Sequence, residues 1–309
     1  MAGAALAFTL MVALVKHARA ELEATEIMFW RSLVGVPLAW ISLRGLSIRP
    51  VATRLLLLRV VLGFCAMLSF FTAAKGLALA EQSLIGRIQP LLIAVLAPAF
   101  LGADEKAEAR TWGALALGLL GSVVLLAPGL QGGGLWGLWA LASAIFSAAA
   151  HTTLRALGRS DHPAVVVLWF QIGITPIAWL LHVLVAGEAP AVPPVDLWPA
   201  IAGVGALAVV GQSLMTRAYQ LDRAATVAGA EYSGPLWAIL LDLLIWKAEP
   251  GWHILVGGAI IVLAGLMVLF QRPGAPPQTA MRTSQDQPPE ASSTTAMTGA
   301  SSTKGSASR

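Results

Sequence analysis

The chain has few charged residues and a single cysteine. Aspartate, glutamate, lysine and arginine make up 12% of its 309 residues, against roughly 25% in an average soluble domain, while 57% of the residues are hydrophobic. These proportions argue against a water-soluble globular fold. Cys65 has no second cysteine to pair with, which excludes an internal disulfide. The net charge of +4 is small and the basic residues are scattered, which argues against nucleic acid as a partner.

Long apolar runs fill most of the chain instead. A helix needs about 20 apolar residues to cross the hydrocarbon core of a bilayer, and ten runs separated by short polar breaks precede residue 271. They predict an all-α integral membrane protein with the lipid bilayer as its surroundings. The ten predicted spans are residues 1–15, 26–43, 55–74, 83–101, 112–127, 135–154, 164–185, 197–219, 226–246 and 252–270.

The distribution of basic residues predicts the orientation of these spans. Cytoplasmic loops carry an excess of Lys and Arg, and a cytoplasmic N-terminus places ten basic residues on the inner side and four on the outer side. We therefore expect a multi-pass protein of the cell membrane with both termini in the cytoplasm. The inner set is Arg44, Arg49, Arg54, Arg59, Lys106, Arg110, Arg155, Arg159, Arg217 and Arg223, and the outer set is Lys16, Arg19, Lys75 and Lys247.

The two ends of the chain differ in composition or length from the predicted spans between them. Residues 271–309 have too few large apolar side chains to bury a core, which predicts a disordered cytoplasmic tail. The first span is short, with only fifteen residues before Lys16. Either the true start lies upstream of Met1, or the segment is a cleaved signal peptide. "ARA" before Glu21 resembles a cleavage site, but the basic region that opens a signal peptide is missing.

The two halves of the chain show a weak internal repeat. An offset of 145 residues places Pro90 on Pro235, and an offset of 139 places Trp30 on Trp169. Residues 1–128 and 134–270 each contain five of the predicted spans. Because five is odd, the two copies would have opposite orientations, as is typical of alternating-access carriers. The alternative is a chance alignment of Leu- and Ala-rich stretches.

Three stretches carry a family resemblance: "EIMFWRSLVGVPL", "LRVVLGFCAMLSFFTAAKGLALAEQSLIGRIQPLLIAVLAPAFLGADE" and "AYQLDRAATVAGAEYSGPLWAILLDLLIWKAEP". Through them residues 1–270 resemble the drug/metabolite transporter (DMT) superfamily, in its EamA-type branch. The resemblance implies two five-helix repeats around a central cavity, transport without ATP hydrolysis, and a pathway near the hairpins of spans three and four and of spans eight and nine. One departure is that Ala103, Asp104 and Glu105 follow the "LG" of the fourth span, where members usually have Glu directly.

Ionisable residues inside the spans are candidates for function, because each costs about 2.5 to 3.5 kcal/mol to insert. A rise of about 1.5 Å per residue along continuous helices sorts them into two layers. Each layer has one acid and several bases. The outer layer contains Arg31, Arg87, His182 and Asp242, and the inner layer contains Arg59, His151, Arg217 and Glu231.

Ion pairs within each layer are the expected arrangement. We predict that Arg87 pairs with Asp242, and that Glu231 pairs with one of the three bases in its own layer. Glu231 and Asp242 are eleven residues apart, close to three helical turns, and would face the cavity together. Such pairs could open and close the two ends. The alternatives are permanent structural pairs and, for Arg59 and Arg217, anchors at the cytoplasmic face.

Pro90 and Pro235 are predicted to kink the fourth and ninth spans. Carbonyl groups freed by a kink within a membrane must find water, a side chain or substrate. The polar residues beside the prolines are therefore candidates for substrate contact, and Trp237 is a candidate for stacking, with simple packing as the alternative. The predicted substrate-binding or gating residues are Arg87, Gln89, Glu231, Tyr232, Ser233, Asp242, Trp237, Arg31 and His151.

The sequence predicts a carrier and not an enzyme. Its five histidines do not have metal-ligand spacing, and no motif for a cofactor is present. We expect a secondary transporter of a small polar metabolite, an amino-acid-like or vitamin- or nucleotide-like compound, working as an exporter or exchanger. A passive channel, a non-transporting membrane subunit and a membrane-embedded enzyme are the alternatives. Proton coupling stays open, as does whether small residues in spans five and ten pack those helices together or form a homodimer.

Overall fold

A computed structural model describes residues 1–19, 21–73, 76–77, 84–126, 134–245 and 251–269, whose regular structure is entirely helical. The predicted tail, residues 271–309, lies outside these ranges. Three short 3-10 turns occur at Ala103–Glu105, Val195–Leu197 and Ala230–Tyr232. The α-helices are α1 (Ala2–Ala18), α2 (Ala24–Ser42), α3 (Thr53–Ala73), α4 (Gln89–Leu101), α5 (Ala109–Leu126), α6 (Gly134–Leu157), α7 (Pro163–Ala186), α8 (Trp198–Leu221), α9 (Ala224–Gly229), α10 (Ser233–Ile245) and α11 (Trp252–Leu269).

Each predicted span coincides with a helix or with an interrupted helix. The outside of the bundle carries large apolar side chains, including Ile41, Phe100 and Leu184, each at least 70% exposed, which suits a lipid surrounding and not water. The all-helical membrane fold predicted from the apolar runs is confirmed. Within the described ranges, five stretches are long and apolar enough to cross a membrane: Thr53–Phe70, Leu84–Leu101, Gly134–Leu157, Pro163–Ala186 and Val195–Leu221.

Several helices begin where an acidic side chain accepts hydrogen bonds from backbone N–H groups. The Asp161 carboxylate accepts from the backbone N–H of Val51 (2.7 Å) and of Ala52 (3.0 Å), just before α3. At the start of α2, the backbone N–H of Glu23 donates to the Glu26 carboxylate at 2.8 Å. The first N–H groups of a helix have no partner within the helix. Some of the few acidic residues of this chain thus accept hydrogen bonds from N–H groups at the starts of helices.

The helices of the two halves pack against each other in matching pairs. α1 packs on α8 and α3 packs on α6, while α2 packs on α7 and α5 packs on α11. The packing of α4 on α6 is matched by that of α1 on α10, and the packing of α3 on α7 is matched by that of α2 on α8. If the five spans of one half are exchanged for those of the other, α2 with α7 and α5 with α11 are unchanged, and each of the remaining pairs becomes another of these pairs.

Helices α5 and α11 approach closely through glycines. A Cβ atom added at Gly121 would lie 2.9 Å from the carbonyl oxygen of Gly257 and 2.9 Å from the side chain of Ile261. Small residues let membrane helices come this near. The two sister helices therefore pack against each other within the chain, and the homodimer stays a prediction.

Candidate functional site

The fourth and ninth spans are both interrupted. In the first, a helical turn at residues 84–86 is separated from α4 by the turn at residues 87–88, which we name the first break. In the second, the 3-10 turn Ala230–Tyr232 separates α9 from α10 and is named the second break. Pro90 and Pro235 each lie in the first turn of the helix that follows, where proline is well tolerated because its missing N–H has no helical partner to lose.

The two breaks contact each other. The Arg87 guanidinium donates to the carbonyl oxygen of Glu231 at 3.3 Å, and the Tyr232 hydroxyl donates to the carbonyl oxygen of Arg87 at 2.8 Å. Both acceptors are backbone carbonyls beside an interrupted helix, which within a membrane require such partners. Helix α5 makes room for the contact, because a Cβ atom at Gly118 would lie 2.6 Å from the Tyr232 ring.

This contact corrects the two predicted layers. Arg87 was expected in the outer layer and Glu231 in the inner layer, yet they meet at the same level. The prediction assumed that a continuous helix joins Glu231 to Asp242, whereas Glu231 lies in the 3-10 turn before α10. The prediction that these two acids share one face of a helix therefore no longer follows, because it required an unbroken helix. The side chain of Asp242 lies outside the described part of the chain, and so does its predicted pairing with Arg87.

The Glu231 carboxylate lies at the centre of a polar cluster. It accepts hydrogen bonds from the Tyr219 hydroxyl (2.7 Å) and from the Gln89 amide (3.0 Å), and His151 Nδ1 lies 3.3 Å away. These partners come from α8, α4 and α6. Of the three bases considered for Glu231, His151 is the one within reach. We refer to Glu231, Tyr219, Gln89 and His151 as the Glu231 cluster.

The protonation of His151 decides how this cluster is bonded. The Gln89 amide nitrogen lies 2.7 Å from His151 Nδ1, and an Nδ1 that accepts this hydrogen bond cannot also donate to Glu231. In the neutral form with Nδ1 unprotonated, Gln89 therefore bridges the two side chains. Protonation of Nδ1 makes His151 a donor to the carboxylate instead. The cluster thus has two hydrogen-bonding arrangements.

A cavity of about 280 Å³ lies beside the cluster. It extends along α3 from Arg59 to Phe70, about 16 Å at the rise of an α-helix, and along α6 from His151 back to Ser143. His151 therefore belongs to both the cavity and the Glu231 cluster. The lining residues are Phe8, Met11, Arg31, Arg59, Gly63, Ala66, Met67, Phe70, Ser143, Ser147, Ala150, His151, Phe170 and Gln212.

Two arginines of the cavity wall have weak partners. Arg31 donates to the sulfur atoms of Met11 (3.8 Å) and Met67 (3.5 Å). Arg59 donates to the side-chain oxygen of Gln212 at 3.4 Å, and its guanidinium lies 4.3 Å from the centre of the Phe170 ring. The Nε atoms of both arginines are buried without a hydrogen-bond partner in the described structure. No acidic residue lies among the described residues that line the cavity.

The position of Arg59 corrects its predicted role as an anchor at the membrane face. It lies about 9 Å along α3 from the start of the helix, and it is only 3% exposed. Arg59 lies inside the predicted span 55–74, as its place in the inner layer of ionisable residues required, although the count of basic residues had assigned it to a cytoplasmic loop. Arg217, which was given the same alternative role, is exposed on α8.

Other predicted residues lie away from the cavity. The Trp237 indole donates to the carbonyl oxygen of Ala2 at 3.2 Å, so it packs against the start of α1. The Ser233 hydroxyl donates to the carbonyl of Ala230 at 2.7 Å, within its own turn. Residue type alone did not point to the serines, methionines and phenylalanines of the lining, because the same types also occur on lipid-facing positions.

A polar network lies at the end of the bundle where α6 ends and α9 begins. Arg155 donates to Glu105 at 2.7 Å and to the carbonyl oxygen of Gln220 at 3.0 Å. Glu105, which is 2% exposed, also accepts from the backbone N–H of Ala224 at 3.0 Å. We name these residues the Glu105 network. It joins both halves of the chain at the end opposite to Phe70 and Ser143.

The described residues contain no group of three or more His, Cys, Asp or Glu side chains able to bind a metal ion.

Sequence comparison matches residues 1–127 and 134–270 to the EamA-like transporter family. The pseudopaline exporter CntI of Pseudomonas aeruginosa is 28% identical, over 84% of this chain and 91% of that protein. A riboflavin transporter of Rhizobium johnstonii is 26% identical over 69% of each chain.

The fold also has a counterpart among solved structures. One crystal structure superposes with a TM-score of 0.75 at 20% identity and covers 86% of this chain and 94% of the other. A human protein, solute carrier family 35 member G1, is 26% identical over 68% of this chain and 60% of its own length. The relatives are thus named as transporters, with different names for what they carry.

Proposed function

Because the chain belongs to the EamA-like transporter family, we propose that it is a secondary carrier that moves a small polar metabolite across the cell membrane by alternating access. The observation that carries this proposal is the cavity of about 280 Å³ inside an apolar helical bundle, whose wall includes two arginines, a histidine and three neutral polar residues. A volume near the lower end of that of known ligand sites suits a small metabolite. Export or exchange is the proposed direction, in keeping with the exporter among the relatives.

The matching pairs of packed helices support an organisation in two five-helix repeats, residues 1–128 and 134–270. Two copies with an odd number of spans have opposite orientations, and the repeat axis then lies in the membrane plane. Discontinuous helices at corresponding places of the two halves are typical of carriers with such repeats. The first and second breaks, which are hydrogen-bonded to each other, are such a pair.

Alternating access requires that each end of the cavity can close. By the charge distribution, the end with the Glu105 network faces the cytoplasm. At that end Glu105 accepts hydrogen bonds from Arg155 and from the start of α9. Movement of substrate to or from the cytoplasm would require these bonds to break. We therefore propose the Glu105 network as the cytoplasmic gate, and Arg87, Gln89, Glu231, Tyr232 and His151 as residues that link the cavity to the two breaks.

Counterflow in proteoliposomes tests the carrier function. Vesicles loaded with one unlabelled solute at a time, from amino acids, flavins, nucleotides and organic acids, should take up the same labelled solute transiently above equilibrium. Ser147→Trp, which fills the cavity from α6, should abolish this uptake. Ile145→Trp is the matched control, because Ile145 is 43% exposed on the outside of the same helix.

Each alternative has its own outcome. Uptake that never exceeds equilibrium and does not saturate would show a passive channel. Chemical conversion of a solute would show an enzyme. Equal counterflow in the Ser147→Trp and Ile145→Trp variants would show that the solute does not pass through this cavity.

A further inference from the structure

The charges of the cavity wall are unbalanced. Arg31 and Arg59, which we call the arginine pair, both line the cavity, and each has a buried Nε without a hydrogen-bond partner among the described residues. Thioether sulfur is a weak acceptor, so the two methionines beside Arg31 compensate its charge poorly. Arg59 has one amide oxygen at 3.4 Å and an aromatic ring. A buried cation without an anionic partner is costly.

The carboxylate of the Glu231 cluster already has partners. Glu231 accepts from the Tyr219 hydroxyl and the Gln89 amide, and His151, which lines the cavity, lies 3.3 Å from it. Gln212 and the two serines of the wall are neutral. The described wall of the cavity is therefore electropositive.

We propose that the arginine pair binds an oxyanion, and that the substrate is a small organic anion carrying carboxylate or phosphate groups. This inference rests on the proposed carrier function and adds the chemical class of the cargo. The arginine fork matches both groups, because it can donate two parallel hydrogen bonds to either. Binding would place an anion beside guanidinium groups whose described partners are neutral.

The remaining wall defines the rest of the substrate. Phe8, Phe70 and Phe170 come from α1, α3 and α7, and they offer apolar surface for a carbon skeleton or a planar ring. Ser143, Ser147 and Gln212 provide neutral polar groups. The Ser143 hydroxyl, however, already donates to the carbonyl oxygen of Ala66 at 2.9 Å. The Gln212 side-chain oxygen likewise accepts from Arg59. Ser147 and the Gln212 amide nitrogen therefore remain for a hydroxyl of the substrate.

A binding experiment on the full-length protein in lipid nanodiscs tests this inference without requiring transport. Thermal unfolding is followed at constant ionic strength with succinate, citrate and glucose 6-phosphate, and with succinamide, glucose and putrescine as neutral or cationic counterparts. We expect saturable protection by anions only. The carboxylates and the phosphate ester are compared separately. The oxyanion that protects at the lower concentration is the preferred one.

Variants of the arginine pair identify the binding site. Arg31→Gln and Arg59→Gln should each raise the anion concentration for half-maximal protection about tenfold or more, which is the scale of a lost hydrogen bond to a charged group. Their unfolding temperatures without anion should stay equal to the wild type or rise, since a buried unpaired charge has been removed. Arg217→Gln is the matched control, with the same change of net charge at an exposed position.

The outcomes separate this inference from the carrier function. It is overturned if no anion protects, if the neutral counterparts protect equally, or if both arginine variants keep the full response. Large destabilisation of both variants without anion would also overturn it, because it would show a structural role. Anion binding without counterflow of that anion would support the oxyanion site and contradict the carrier function. Counterflow of a neutral solute alone would support the carrier function and contradict the oxyanion site.

Discussion

Single residues decide the polarity of the interior, and the two tyrosines of the chain show how. The Tyr219 hydroxyl donates to a carboxylate and the Tyr232 hydroxyl to a backbone carbonyl, and both rings are buried. Hydrogen bonds to charged groups contribute more to stability than neutral ones. The chain therefore contains a matched pair of otherwise similar buried hydroxyls.

Tyr219→Phe should lower the free energy of unfolding by about 1.5 to 3 kcal/mol and Tyr232→Phe by about 1 kcal/mol. The reason is that the first substitution leaves a part-buried carboxylate with one donor fewer, while the second removes a bond to a backbone carbonyl. Chemical unfolding of both variants in the same detergent measures the difference. An equal or reversed order would show that the hydrogen bond of Tyr219 is not the stronger of the two.

Arg59 marks the limit of sequence reasoning at the scale of the residue. Arg59 lies only four residues after the start of the predicted span 55–74, and a basic residue so near the start of a span is normally assigned to the membrane face. Its burial depends on packing against Phe170 and Gln212 from α7 and α8. Such long-range partners are not visible in a single sequence.

At the scale of the helix, glycine positions show where close approach is required. Gly118 on α5 faces the Tyr232 ring, whereas Gly265 on α11 has no atom within 4 Å of an added Cβ. Gly118→Ala should destabilise the protein by about 1 to 3 kcal/mol through overpacking. Gly265→Ala should be neutral or stabilising, because alanine favours a helix over glycine. Unfolding temperatures of the two variants test this contrast, and equal shifts would contradict it.

The Glu105 network gives a second prediction at this scale. Glu105→Gln should loosen the end of α6 from α9, because the buried carboxylate binds Arg155 and the backbone of Ala224. In a Cys65→Ala background, a cysteine at buried Leu56 should then react several-fold faster with a membrane-impermeant thiol reagent applied from the cytoplasmic side.

Glu108→Gln is the control for this labelling experiment. The Glu108 side chain is 65% exposed and pairs with Arg223 at 3.0 Å, and exposed pairs contribute little. Its labelling rate should therefore stay near that of the wild type. Equal acceleration in both variants would show that loss of one acidic charge, and not of the buried contacts, is responsible.

The helices themselves were largely predictable, whereas their interruptions were not located. An apolar run must be long enough for the bilayer, which is why the predicted bounds of most spans differ from the helices by only a few residues. The prolines correctly drew attention to spans four and nine. They could not show that the chain turns before them, nor that Arg87 reaches across to Glu231. Depth counted along an ideal helix fails after such a turn.

At the scale of the whole molecule, the orientation in the membrane is the property to test. A fluorescent protein fused after residue 309 should fluoresce, because the C-terminus is expected in the cytoplasm. An epitope inserted between α7 and α8, at residues 188–194, should bind antibody on intact cells or spheroplasts. The reverse pattern would show that the count of Lys and Arg in the loops misassigned the topology.

The hydrogen bonds between the two breaks also restrict how the halves can move. Each break supplies a donor to a carbonyl of the other, so a large shift of one interrupted helix alone would leave a carbonyl without its partner. In the proposed alternating-access cycle the two breaks would act as a common pivot. Helices that turn about a shared pivot move in opposite directions on its two sides, so opening one end of the bundle would close the other without any separate signal between them.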